Sequence, residues 1–544
     1  MSKTNSDRKF VKSMSSFPVE ELMRAAPASY VLKRCGRLFA KSTGSGGTFQ
    51  LSRPVSQIDW FISHNWVTPR RSKFLALTLF FNARSAMAVA YGVMIVFCLL
   101  TVFGTLPLLS YEVGKSRGLY CTLVGPVVFL VSLILASDIS AVCCPVRAQS
   151  RVFLDKVCVN QEDPTLKRQG IEKLGAFLRM SKGLVIVYTD LYLQRLWTVY
   201  EVASVFLLNP DINIAFIPID YPKMILCYMA LLLSIAILAP TIPTLALSHF
   251  WGGRRYAVSV YTVAVCLPLT MGAMVAARGW NKSRERIYSD LQKFHASEAT
   301  CFCEDDRPLV QRNVAAALRD LGLVAAEATD GEALLMFDSM VQKELPQAIN
   351  ALFGLIGIRY EYVMVVVIPC FGWSLDALGS LIYDQGASAG ELVTTVCFDL
   401  IWVFSFWPNL LAILMMSANF GLKVSSLRET TMVVLSGSSV WLAGAVLYLF
   451  LELASTNIWA MAVYMATHVI FTRAVYRHKP FVLRQGDPRL SFALVDPEAI
   501  YPSENSVAEN SWYSSEHSPA STKGCADPGR VEASVGSGIM KYSL

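Results

Sequence analysis

Apolar runs of about twenty residues recur along this chain, each long enough to cross a hydrocarbon core of about 30 Å. They lie near residues 86–110, 119–137, 224–247, 256–277, 362–382, 392–417, 432–453 and 458–473, which predicts about eight transmembrane helices. Elsewhere the pattern differs. Residues 58–66 form a short apolar strand, I-D-W-F-I-S-H-N-W, and the stretch 151–221 alternates in type. Residues 151–159, 183–188 and 213–219 read as strands, and 193–208 as a helix opened by Thr189 and Asp190. Between the first two, Leu166, Ile171, Leu174, Phe177 and Leu178 make a helical stripe. Val- and Ile-rich strands separated by helices imply a parallel sheet covered by helices, with ligands at the strand ends.

Residues 278–353 are polar and helical in pattern. A helix start is marked by Asp306 before Arg307-Pro308, and stripes run through Val314, Ala317, Leu318 and Leu321, then Leu334, Leu335, Phe337, Met340 and Val341. They predict a small helical module. The first 57 residues are polar, basic and Ser-rich without an apolar h-region, so no cleavable signal peptide is expected. Residues 485–544 lack apolar periodicity and read as a disordered tail.

Composition agrees with the spans. Hydrophobic residues make up 54% of the chain and charged residues 16%, against about 25% charged in soluble domains, which excludes a purely soluble enzyme. The lipid bilayer is therefore the first partner. The net charge of +7 gathers beside the apolar runs, as in cytoplasmic loops, and no nucleic-acid face is expected. Arg70, Arg71, Lys73 and Arg84 precede the first span, and Arg278, Lys282, Arg284 and Arg286 follow the fourth. Lys423 and Arg428 sit between the sixth and seventh, and Arg473, Arg477, Lys479 and Arg484 follow the eighth. An even number of spans then puts both termini in the cytosol, although Lys115, Arg117, Arg254 and Arg255 fall on the opposite side. The 13 cysteines show no framework spacing and read as reduced thiols. Cys143-Cys144, just past the second span, has the placement of a palmitoylation site.

Two carboxylates fall inside predicted spans, Asp376 and Asp399, at similar depth if their helices are antiparallel neighbours. Either they share a cation or proton, or each is bound locally near the interface. His468 reads as a packed histidine. His295, Cys301, Cys303 and Glu304 lack the second C-x-x-C of a structural zinc site, so no metal is assigned.

The soluble motifs carry a resemblance. D-W-F-I-S-H, residues 59–64, resembles the first strand of TIR domains, and L-D-K-V-C-V-N-Q, residues 154–161, resembles the related fungal heterokaryon-incompatibility domain. Both families share an aromatic-plus-glutamate helix, here R-L-W-T-V-Y-E at 195–201, and Ile217-Pro218 resembles the end of the fourth TIR strand. The matched segments cover about eighty residues. The resemblance implies a cytosolic α/β domain of flavodoxin type, with a parallel sheet, that self-associates or clusters with other TIR domains. It also implies cleavage of the nicotinamide–ribose bond of NAD, with NAD as substrate and no resident cofactor. Glu201 matches the catalytic glutamate, and Trp197, Ser63, His64 and Asp155 are the candidate NAD-binding residues. A carboxylate suits an oxocarbenium-like transition state, and an indole can stack nicotinamide. Asn160 and Gln161 line a pocket or cap a turn.

The pattern departs from the family in two places. A membrane hairpin follows the first strand, where a helix is normal, and the chain re-enters the membrane after the fourth, leaving the last strand and helix missing. The expected role is membrane signalling with NAD hydrolysis by Glu201. Its rivals are a non-enzymatic scaffold and a channel or transporter regulated by the domain.

Overall fold

The computed structural model describes residues 22–476 except 43, 113–114, 145–148, 210–211, 245–265, 302–303, 355, 384–387, 420–425 and 456. The tail at 485–544, residues 1–21 of the N-terminal polar segment and the first half of the expected span at 256–277 lie outside the described residues.

Six strands form one sheet. They are β1 (Arg24–Pro27), β2 (Arg53–Pro54), β3 (Ile58–His64), β6 (Arg151–Phe153), β7 (Ser181–Tyr188) and β8 (Asn213–Pro218). The order is β2-β1-β6-β3-β7-β8. Strands β6, β3, β7 and β8 are mutually parallel, and β1 adds antiparallel to both β6 and β2. A separate hairpin pairs β4 (Leu109–Glu112) with β5 (Lys115–Arg117). The N-terminal segment is thus partly built into the sheet edge. Strand β6 is shorter than the pattern predicts: after Leu154 the chain turns into a single helical turn, Asp155–Cys158. At the opposite ends of the strands, Asp59 receives a bidentate Arg151 at 3.1 Å per bond and Lys182 at 3.2 Å. The aspartate of the TIR-like signature thereby ties together three adjacent strands.

Helix α1 (Ala28–Gly36) lies after β1, and α2 (Arg70–Val102) follows β3. Helix α2 does two jobs. At 1.5 Å per residue its 33 residues are about 50 Å long, far more than a bilayer core needs. Its first turns bury Phe74, Ala76, Leu77 and Leu79, and Phe80 meets Trp60 of β3 edge-on at 4.9 Å. Beyond Ala83 only one seam stays buried, Ala86, Ala90, Met94 and Cys98, while Val89, Ile95, Val96 and Leu99 face outward. This part of the helix is long and apolar enough to cross a membrane, with an apolar outward face. The basic stretch before the first expected span is therefore the N-terminal part of the same helix.

The molecule is mostly helical, and among the described residues five helices are long and apolar enough to cross a membrane. These are α2, α3 (Tyr120–Cys143), the Tyr221–Leu238 part of α7 (Tyr221–Thr244), Ala389–Ser417 and the Arg428–Tyr448 part of Ser426–Ser455. A sixth is the pair Tyr360–Val366 and Ile368–Tyr383, bent by 57°. Of the remaining expected spans, the fourth corresponds to α8 (Leu267–Gln292), whose second half is charged, and the eighth to Ile458–Val475. The bundle is tightly joined: a Cβ on Gly372 would come within 2.5 Å of the Cys121 carbonyl oxygen on α3.

Asp376 is fully buried at this junction. It accepts from the backbone N–H groups of Cys121 and Thr122, each at 2.9 Å, and from the Thr122 hydroxyl at 2.7 Å. It caps the N-terminus of α3 from a neighbouring helix, where backbone donors and the helix dipole both favour an anion. This local role accounts for a carboxylate at that depth.

Helices α9 (Arg307–Asp320) and α10 (Asp330–Phe353) complete the module. A capping box, Thr329 with Glu332, opens α10. His295 Nδ1 lies 3.3 Å from Asp338 Oδ2, and among the described residues no three metal-ligating side chains converge. Cys303 lies outside them.

Candidate functional site

In a strand, successive side chains point to opposite faces of the sheet, and this decides how the site divides. Ser63 and His64 are neighbours at the carboxyl end of β3, with Ser63 beside Ile186 and His64 beside Val187 of β7. Phe61, on the Ser63 face, stacks on Phe153 at 4.5 Å. Phe153 in turn packs on Phe177 of the helix Leu174–Arg179 at 4.3 Å. Trp60, on the His64 face, packs on α2.

On the first face, helix α6 (Leu196–Leu208) brings Glu201 over the strand end. The Ser63 hydroxyl donates to Glu201 Oε2 and is also hydrogen-bonded to the Tyr192 hydroxyl. Ser63 and Tyr192 are buried. Burial pushes the Glu201 carboxyl up to about 8; the Ser63 hydrogen bond opposes the rise and the nearby Asp155 charge adds to it. Burial, reinforced by the Glu201 charge, likewise holds the Tyr192 phenol well above its ordinary value. The arrangement is a carboxyl, a hydroxyl and a phenol meeting at the carboxyl end of a central parallel strand.

On the second face, His64 is enclosed by Trp66 and Phe39, with ring centroids 4.4 and 5.7 Å away. Its Nε2 is buried without a hydrogen-bond partner. Burial first, then the charges of Lys73 and Lys156, hold its imidazole well below its ordinary value, so it is neutral. Asp155 accepts from the Trp66 indole N–H at 2.8 Å and from the Lys156 backbone N–H at 2.6 Å. Burial raises its carboxyl, against the pull of these bonds and of the Lys73 and Lys156 charges. Both lysines are themselves buried. Lys73 Nζ donates to the Asn65 and Trp66 carbonyls at 3.3 and 3.2 Å, and Lys156 Nζ to those of Leu38 and Lys41 at 3.0 and 2.6 Å.

The structure therefore brings Ser63 to Glu201 and turns His64 to the other face of the sheet, with Trp66 between His64 and Asp155 and the Asp155 charge still felt at Glu201. Trp197 has a different partner again. Its indole N–H donates to Asp306 at 3.1 Å, and its ring meets Tyr200 edge-on at 5.8 Å. The module also reaches the start of α6 through its backbone: Leu196 N–H donates to Thr300 O at 3.0 Å, and Thr300 N–H to Gln194 O at 2.7 Å. Asn160 accepts from Glu162 and Asp163 N–H at 2.9 and 3.0 Å and so shapes a turn. Gln161 donates to Val159 O at 3.2 Å.

Tyr192, Trp66, Lys73 and Lys156 are the site residues that sequence reasoning missed. Tyr192 lies in the loop before α6, three residues past the turn signal at Thr189. Lys73 was hidden among the basic residues read from sequence as the flank of the first span.

No family model, curated protein or solved structure matches the chain.

Proposed function

We propose that the chain is a multi-pass membrane signalling protein whose cytosolic domain is TIR-like and hydrolyses NAD through Glu201. Both termini are on the cytosolic side in this reading, and activation comes from self-association or contact with other TIR domains. The observation that carries it is the pairing of Glu201 with Ser63 at the carboxyl end of β3, the edge at which open α/β sheets bind ligands. Two further observations support it. Numbered within the domain, the parallel strands β6-β3-β7-β8 run 2-1-3-4, the first four positions of the flavodoxin-like order 2-1-3-4-5. The opening of α2 also packs on the sheet where a first helix belongs, before continuing into the membrane.

In this mechanism the ionised Glu201 carboxylate stabilises positive charge developing on the ribose as nicotinamide leaves, and Ser63 holds the carboxylate in place. The module's grip on Trp197 and on the start of α6 is the resting state. Release of that grip on association frees the indole to wall the nicotinamide.

The test is nicotinamide release from NAD by the full-length protein, at high surface density in liposomes, beside Glu201→Ala. Wild type alone should be active, with the variant slower by at least about a hundredfold. Equal rates would end the catalytic assignment.

A non-enzymatic scaffold is the second reading. Glu201 and Asp155 are both already hydrogen-bonded within the domain, as in a purely structural polar core. Protein that clusters on liposomes yet leaves NAD intact would establish it.

A further inference from the structure

A cavity of about 750 Å³ opens in the membrane bundle between α13 (Ala389–Ile401), the π-helical turn Trp402–Phe406, α16 (Ile458–Val475) and Tyr360 at the head of α11 (Tyr360–Val366). Its lining is sorted by chemistry. One end carries Tyr360, Arg473 and Tyr476, and the other Leu400, Phe404, Met465 and Val469. From Arg473 to Met465 along α16 is about 12 Å at 1.5 Å per residue.

The walls are prebuilt. Pro408 has no N–H, so the Phe404 carbonyl loses its helical donor, and the Tyr360 hydroxyl supplies one at 2.8 Å. The Tyr476 hydroxyl donates to the Pro408 carbonyl at 2.6 Å. The intervening polar wall satisfies itself. Ser405 and Thr472 hydroxyls bond at 2.9 Å, Thr472 donates to Asn409 Oδ1 at 2.9 Å, and Asn409 Nδ2 donates to His468 Nδ1 at 3.0 Å. What remains is an exposed guanidinium with no acidic partner among the described residues, above an apolar slot. Leu400, Phe404 and Val469 in that slot are 49%, 40% and 44% exposed.

We propose that this cavity binds an anionic membrane lipid, its phosphate at Arg473 and one acyl chain along Phe404, Met465 and Val469. The argument is complementarity at both ends of one slot. A guanidinium is the side chain best matched to a phosphate monoester, which it holds with two parallel hydrogen bonds. A zwitterionic headgroup offers no net charge to it, and a free phosphate leaves the apolar walls bare. Tyr360 heads the bent helix pair and Tyr476 closes α16, so an occupant touches both.

The experiment is native mass spectrometry of the full-length protein in detergent, titrated with phosphatidic acid, with phosphatidylcholine of the same chains, and with inorganic phosphate. Phosphatidic acid should be retained most strongly. Arg473→Gln should weaken it about tenfold, the loss of one charged hydrogen-bonded contact, and leave phosphatidylcholine unchanged. Val469→Trp, which fills the slot from an exposed position, should remove the phosphatidic acid preference with Arg473 intact. Equal retention of the two lipids, unchanged binding by either variant, or phosphate binding as strong as phosphatidic acid would each overturn the proposal.

Discussion

At the scale of single residues, Glu201 is the most informative side chain. Its carboxyl titrates near 8 in the fold, against 4.5 when exposed. Between these values the folded state holds a proton that the unfolded state has lost. Stability contributed by the protonated group is therefore complete below about 4.5, declines as pH rises, and is gone above about 8. Each unit of the difference corresponds to about 1.4 kcal/mol. Glu201→Gln keeps an amide oxygen for the Ser63 hydroxyl and removes this titration, so across this window the melting temperature of wild type should fall relative to that of the variant. Parallel curves for the two proteins would show that Glu201 does not titrate there. The same value bears on the catalysis we propose. If the ionised form stabilises positive charge there, NAD cleavage should rise with pH through about 8. A rate flat from neutrality upward would mean that association re-exposes the carboxylate. Sequence singled out Ser63 and Glu201 by resemblance, and the fold brings them together across the strand end. It also grouped His64 with them, and strand alternation separates that pair. Adjacency in sequence is the wrong guide on a sheet, because the period of two sends neighbours to opposite faces.

At the scale of elements, the sequence showed most of the α/β domain. Strands β3, β7 and β8 and helix α6 lie where Val, Ile and helical spacing place them. The misplaced boundaries have local causes. Strand β6 ends at Phe153 because Asp155 bonds Trp66 and the next backbone N–H, which turns the chain. Strand β1 was not legible, since R-A-A-P is too short to show alternation and ends in a proline, a residue confined to sheet edges. Helix α2 hid its first turns because the charges at 70, 71, 73 and 84 read as a loop, whereas Phe74, Leu77 and Leu79 cover the sheet. On that sheet face Trp60 lies across the neighbouring strand, and a Cβ on Gly183 would come within 2.3 Å of its ring. Gly183→Ala must therefore push Trp60 off β7 and away from Phe80. Overpacking of this kind typically costs about 1–3 kcal/mol. The drop in melting temperature should largely vanish in Gly183→Ala with Trp60→Leu, where the smaller side chain vacates the space. A Gly183→Ala protein as stable as wild type would mean that the ring has room to move.

At the scale of the whole molecule, five aromatic rings connect what the sequence presented as separate parts. Phe216 of β8 meets Phe353 at the end of the module edge-on at 5.5 Å, and Phe353 meets Trp280 of α8 at 5.7 Å. Trp280 lies 5.1 Å from Tyr221 at the start of α7. Tyr221 then reaches Tyr362 of the bent helix pair at 5.3 Å, and its hydroxyl accepts from the Arg359 N–H at 3.2 Å. Sheet, module, α8, α7 and the bent helix pair therefore share one contact, and a displacement of the module off α6 must be felt there. No periodicity could have shown this, because the partners of these rings lie up to about 140 residues away in sequence. Phe353 is 5% exposed, and truncating a buried Phe costs about 3–5 kcal/mol. If the junction is what couples the domain to the bundle, Phe353→Ala should do more than lower the melting temperature. Calorimetry of the full chain in detergent should show the wild-type transition split in two, the sheet domain melting first. Protease access to the module should rise in parallel. A single transition, lowered but undivided, would make Phe353 an ordinary core residue and move the coupling to the Trp197–Asp306 contact.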